Sequence, residues 1–141
     1  MSTPFQKNSP IGITIPIRGG QNGYFDQTFD TLSQIKANII NLLNTKPGER
    51  RMQPTFGTRL WNLVFEQNLE SLPDIATNLV REDINSWIPN VTVTRVDSSL
   101  LKSDLSTDDR DIYRLQVSVS FMLNMTKQSD TVTITVDNLA T

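Results

Sequence analysis

With no histidine and no cysteine in the chain, carboxylates are the side chains left with catalytic potential. Missing cysteine removes disulfides, thiolate metal sites and thiol nucleophiles together. Missing histidine removes Ser/His/Asp and Cys/His arrangements and the His-based zinc motifs. Two Asp or Glu groups can cleave a glycosidic bond as acid and nucleophile, or as acid and base, when they face each other across a cleft roughly 5 to 10 Å apart. The candidates are Glu49, Glu66, Glu70 and Asp74. Glu49 sits directly beside Arg50 and Arg51, which favour its ionised form and oppose the raised pKa of a general acid. A structural role is the favoured reading of all four, and the chain is expected not to be an enzyme. Asp104, Asp108, Asp109 and Asp111 invite a calcium reading, but the segment lacks the glycine and terminal glutamate of an EF-hand loop. No metal, cofactor or small-molecule substrate is therefore expected. Trp61 and Trp87 lie among apolar residues at helical spacing, so packing in a core or an interface is expected before stacking on a sugar or base.

The bulk properties narrow the partners. A formal net charge of −2 supplies no positive field to hold a phosphate backbone, so nucleic acid is not an expected partner. No apolar run approaches the roughly 20 residues that cross a bilayer. The N-terminus lacks a basic stretch followed by an apolar core, so folding in the cytoplasm where the chain is made is expected. At 141 residues one domain with a real core fits, and two do not.

The elements that would position any site follow from periodicity. Met1 to Tyr24 contains Pro4, Pro10, Pro16 and Gly19-Gly20, which exclude a packed helix and make this an extended arm. Within it Ile11, Ile13, Ile15 and Ile17 alternate with other residues, the period of an extended segment. It either forms an edge strand on its own domain or docks on another chain, and Pro16 limits it to an edge in both cases. Phe25 to Thr141 then forms a single domain. A helix is expected from Leu32 to Thr45, capped by Thr31 with Gln34, with Leu32, Ile35, Ile39, Leu42 and Leu43 as its buried stripe. Pro47-Gly48 stops it. A short helix should hold Leu60-Trp61 and Leu63-Val64-Phe65. A second long helix runs from Leu72 to Ile88, capped by Ser71 with Asp74, with Ala76, Val80, Ile84 and Ile88 on one side.

After Pro89-Asn90 the period switches to two. Val91 and Val93 begin a first strand, Tyr113 to Leu123 forms the clearest one, and Val132, Ile134 and Val136 alternate with threonines in a third. The last two read as a hairpin. Ser98 to Asp111 reads as a mobile, solvated loop. Helices followed by strands imply an α+β domain: two long helices and a short one on a small antiparallel sheet of about three strands. The terminal strand has no following element long enough to cover it, so its edge is expected either to receive another chain's strand or to be filled by the Ile11 to Ile17 segment.

One window carries a resemblance. It runs from Leu42-Leu43-Asn44-Thr45 through Pro47-Gly48-Glu49-Arg50 to Pro54-Thr55-Phe56-Gly57, then Leu60 and Phe65-Glu66. A helix ending in leucines and threonine, a Gly-Glu-Arg turn, a proline, Phe-Gly and a Leu before Phe-Glu is similar to the baseplate wedge proteins of contractile phage tails. That family has relatives in type VI secretion and is sometimes labelled lysozyme-like. Gly23-Tyr24-Phe25, the second helix and the final strands also fall where the family has theirs. Relatives often carry Glu-Pro-Arg where Ile88-Pro89-Asn90 stands here, so the charged docking contact of the type VI members does not carry over.

The resemblance implies a structural subunit of the virion's tail baseplate, linking the wedge to the first sheath ring and templating sheath assembly. Its implied partners are other wedge proteins and the tail sheath protein. The expected binding residues are Gly48, Glu49, Arg50, Pro54, Phe56 and Gly57 in the turn, and Val132, Ile134 and Val136 on the terminal strand. Arg50 is expected to pair with an acidic group of its own chain such as Glu66. The competing reading is a peptidoglycan-cleaving, lysozyme-like hydrolase.

Overall fold

The computed structural model describes residues 10–20, 24–63, 70–103 and 112–137. Strand β1 (Gly12–Ile13) pairs antiparallel with β2 (Gln27–Thr28) in a small separate sheet. Three helices follow, α1 (Thr31–Asn44), α2 (Leu60–Leu63) and α3 (Leu72–Trp87). A three-stranded antiparallel sheet closes the chain in the order β3 (Val91–Ser103), β4 (Ile112–Leu123), β5 (Ser129–Asp137). This is the expected α+β architecture.

Helix α1 forms where its apolar residues recur at helical spacing, and Ile35, Ile39, Leu42 and Leu43 are all buried. Its cap lies one residue before the expected Thr31. Asp30 is extended and its carboxylate accepts the Ser33 amide at 2.9 Å. Gln34 instead turns to the small sheet, accepting from the Thr28 hydroxyl at 2.5 Å. The expected Ser71 cap also fails, because Ser71 is already helical and makes no side-chain cap bond. Pro73, whose missing N–H costs nothing in a first turn, sits there instead.

The sheet is apolar on one side only. Leu115, Val117, Val119, Phe121 and Leu123 of β4 and Val132, Ile134 and Val136 of β5 are buried beneath the helices. Helix α3 lies over β3 and α1 over β5. On the opposite side hydroxyls pair across the strands, Ser118 with Thr133 and Ser120 with Thr131, each at 3.0 Å.

Residues Ser98 to Ser103, expected in a loop, belong to β3. Thr94 is an extra residue in the ladder, since Val93 pairs with Phe121 and Arg95 with Ser120. Such a bulge switches the side-chain parity of everything after it. Val91 and Val93 face the helices before it, and Val96, Ser98 and Leu100 after it. Ser98 is tolerated there because its hydroxyl donates to the Pro73 carbonyl at 2.7 Å. Asp104, Asp108, Asp109 and Asp111 lie outside the described residues.

Helix α1 is tied to the start of β5 by Lys36 and Asp130, 2.9 Å apart and both partly exposed. The Lys36 hydrogen bond, ahead of the smaller opposing effect of burial, holds the Asp130 carboxyl below its ordinary value of 3.8. The Ser33 amide and hydroxyl do the same for Asp30 at the helix cap. A carboxyl with a depressed folded pKa adds stability that is complete above the unfolded value and lost as pH falls through the folded one. The chain should therefore lose stability as pH falls below about 4. Asp130→Asn should flatten that acid limb in urea titrations at successive pH values, and an unchanged limb would show that the pair does not act.

Candidate functional site

The segment between α1 and α2 is fixed by close backbone contacts. Thr45 ends α1 in an extended conformation, and its carbonyl accepts the Thr58 amide at 2.9 Å. The Gly48 amide donates to the Pro54 carbonyl at 2.8 Å, and the Lys46 amide to the Glu49 carboxylate at 3.0 Å. Thr58 is fully buried and donates to Asp83 of α3 at 2.7 Å. Burial raises the Asp83 pKa and outweighs the opposing effect of this hydrogen bond. Gly48 and Gly57 both have positive φ, at 93° and 131°. Gly57 has a second constraint: a Cβ there would meet the Thr45 carbonyl oxygen at 2.6 Å and the Pro47 nitrogen at 2.9 Å. At Gly48 the same position is open.

This loop carries aromatic and cationic groups onto the end of α3. Phe56 meets Trp87 edge-on with ring centroids 5.1 Å apart. The Arg50 guanidinium lies over Phe56, 4.0 Å from its centroid, a cation–π contact. Lys46 lies over Trp61 at 4.9 Å, and the Trp61 indole donates to the Leu43 carbonyl at 3.2 Å. Both tryptophans are half-buried, as expected of packing residues. The partner envisaged for Arg50, Glu66, lies outside the described residues, as do Val64 and Phe65. The described contact of Arg50 is the face of Phe56.

Arg50, Phe56 and Trp87 wall an open groove of about 390 Å³ together with Ile35, Asn38, Asn41 and Ile88-Pro89-Asn90. A second depression of about 190 Å³, bordered by Leu123, Met125 and Thr126, shares Ile35 and Asn90 with it. The two form one trough along α1. Among the turn residues expected to bind, the groove holds Arg50 and Phe56. Gly48, Glu49, Pro54 and Gly57 shape the loop behind them. The Asn38, Asn41, Trp87 and Asn90 contributions were missed, because they come from three elements whose meeting no local pattern reveals. Neither depression has a carboxylate in its wall.

The expected binding residues Val132, Ile134 and Val136 are placed differently. Their side chains are buried in the core, so what β5 offers outward is backbone. The direction of each backbone group follows from the turn. Leu123 donates to the Gln128 carbonyl at 2.8 Å, so Leu123 and the β4 residues two apart from it bond toward β5. Their register partners Val132, Ile134 and Val136 bond back. Thr131, Thr133 and Thr135 therefore point their N–H and C=O away from the sheet. Among the described residues no strand pairs with this edge. The Ile11 to Ile17 segment does not fill it, since Gly12–Ile13 pairs with Gln27–Thr28. Ile11, Ile13, Ile17, Tyr24, Phe25 and Phe29 stay exposed around that small sheet.

Both glycines of the loop can be tested. Gly57→Ala should cost about 2 kcal/mol or more, strain and contact together, and Gly48→Ala about 1 kcal/mol, strain alone. Chemical denaturation measures the two losses, and equal losses would contradict the close approach at Gly57.

Comparison with known proteins places this geometry. No curated protein matches the chain by sequence. Solved structures share its fold. A candidate tail lysozyme from Geobacter sulfurreducens is 21% identical with a TM-score of 0.62, over 79% of this chain and 96% of that one. A subunit in the baseplate of the anti-feeding prophage is 20% identical with a TM-score of 0.59, over 79% and 83%. One in the baseplate complex of the type VI secretion system is 10% identical with a TM-score of 0.51, over 77% and 94%. At these identities the likeness establishes the fold alone. The sequence profile described as baseplate wedge protein gp25 matches residues 30–128. That match takes in α1, the Gly48-Glu49-Arg50 loop, both remaining helices and the sheet as far as the β4–β5 turn, and the chain belongs to the baseplate wedge protein gp25 family.

Proposed function

We propose that this structural baseplate protein links the wedge of a contractile tail to the first sheath ring and templates sheath assembly. The observation that carries the reading is the edge of β5, where Thr133 and Thr135 turn backbone groups outward that no strand among the described residues pairs with. An extended arm of a sheath subunit adds there as a further strand, its affinity coming from main-chain hydrogen bonds. The trough along α1, lined by Ile35, Phe56 and Trp87 together with Arg50, is the seat for a neighbouring wedge protein. On this reading the chain works in the virion's baseplate and is assembled in the host cytoplasm, with no nucleic acid, membrane or small molecule as partner. Among the described residues no helix is long and apolar enough to cross a membrane.

We read the chain as a non-enzyme. Glu49 is engaged by the amide of Lys46 in its own turn, and the trough offers no acid–base pair for peptidoglycan cleavage. The family's lysozyme-like label therefore finds no support in Glu49 or in the walls of the trough.

Proline tests the edge, because it removes one N–H. Thr133→Pro and Thr135→Pro each remove an outward donor and leave the ladder to β4 intact. Each variant should remain folded by circular dichroism and join the wedge, while sheath polymerisation on the assembled baseplate fails. Normal sheath growth on both folded variants would overturn the proposal.

A further inference from the structure

We propose that Asp130 sets where a guest strand can join β5, by closing the outward position at Thr131 and leaving those at Thr133 and Thr135 open. This rests on the edge reading above and adds the residue that determines its register.

The Thr131 amide points away from β4, as its parity with Thr133 requires, yet it is not free. It donates to Oδ1 of Asp130 at 2.7 Å. The other carboxylate oxygen, Oδ2, accepts from Lys36 of α1 at 2.9 Å. Asp130 shares the strand parity of Val132 and so leans to the helix-covered side, where Lys36 holds its carboxylate against the strand edge. Among the described residues Asp130 is the ion-pair partner of Lys36.

A guest strand extending over Thr131 would bring a carbonyl oxygen to a donor already taken. That oxygen would also meet a carboxylate held ionised by Lys36. Both effects oppose pairing there: one leaves a guest acceptor unsatisfied, the other sets like partial charges together. Among the described residues no side chain caps Thr133 or Thr135, and a guest residue can exchange both backbone bonds with each. The guest ladder therefore covers Thr133 to Thr135 and stops before Thr131.

The lack of native cysteine makes disulfide trapping a direct test. The probe is a peptide of about six residues alternating valine and threonine with one central cysteine, a length typical of a strand. It is offered to full-length chains carrying Thr131→Cys or Thr133→Cys. Trapping at position 133 should exceed that at 131 by about tenfold, the scale of one charge-assisted hydrogen bond. Adding Asp130→Ala should bring the two yields within about twofold. Lys36→Met removes the α1 ion pair and leaves the Thr131 cap, so its ratio should fall between the parent's and that of Asp130→Ala. A ratio unchanged by Asp130→Ala, or shifted equally by Lys36→Met, would overturn the role of Asp130. Trapping at neither position above that of a proline-containing peptide would overturn the edge reading itself.

Discussion

Strand β4 is central in the sheet, and its five helix-facing side chains from Leu115 to Leu123 are all buried. Each fully buried side chain of this kind contributes about 1.5–3 kcal/mol relative to exposure, so both long helices must lie on that side. Helix α3 covers β3 and α1 covers β5. The chain between them must then return from the end of α1 to reach α3, which it does through the bond of Thr58 to Asp83. The close approach of Gly57 to Thr45 and Pro47 follows from that return. The Gly-Glu-Arg turn is thus a product of layer packing before it is a surface.

The same packing explains why β5 ends with one edge open. Its inward side chains are spent on the core, and its outward ones pair with serines of β4 across the solvent side. What remains is a row of backbone groups. Isolated edges of this kind invite unwanted association, and proteins commonly guard them with charge. Asp130 stands at the beginning of this one. The small β1–β2 sheet packs against α1, and the exposed aromatic and aliphatic side chains there lie outside the family-matched residues 30–128.

Much of this was legible from periodicity. The stripe Ile35, Ile39, Leu42, Leu43 and the alternation of β4 each show one strong pattern, and burial is the reason the pattern exists. Signals that depend on one residue were misread. Thr31 and Ser71 have the right chemistry for caps, but Asp30 is the residue with extended geometry at the first helix, and Pro73 occupies the first turn of the second. The far half of β3 was hidden because the Thr94 bulge breaks the alternation and Ser98 faces inward on a hydrogen bond to Pro73. For the site, the turn residues were visible as a motif and Arg50 and Phe56 do meet. Trp87, Asn90 and the two asparagines of α1 join them only through tertiary contact. Val132, Ile134 and Val136 mark the right strand, although it is the backbone of the threonines between them that faces outward.

A sheath arm seated on β5 would pair the strand's outward amides in the assembled particle. Amide hydrogen exchange at Thr133 and Thr135, compared between the free chain and sheath-bearing baseplates, reads this directly. Fast exchange in the free chain and strong protection at both amides after sheath attachment is the predicted result, because a guest strand would then occupy the edge. Exchange that stays fast at both positions in the sheath-bearing baseplate would contradict it.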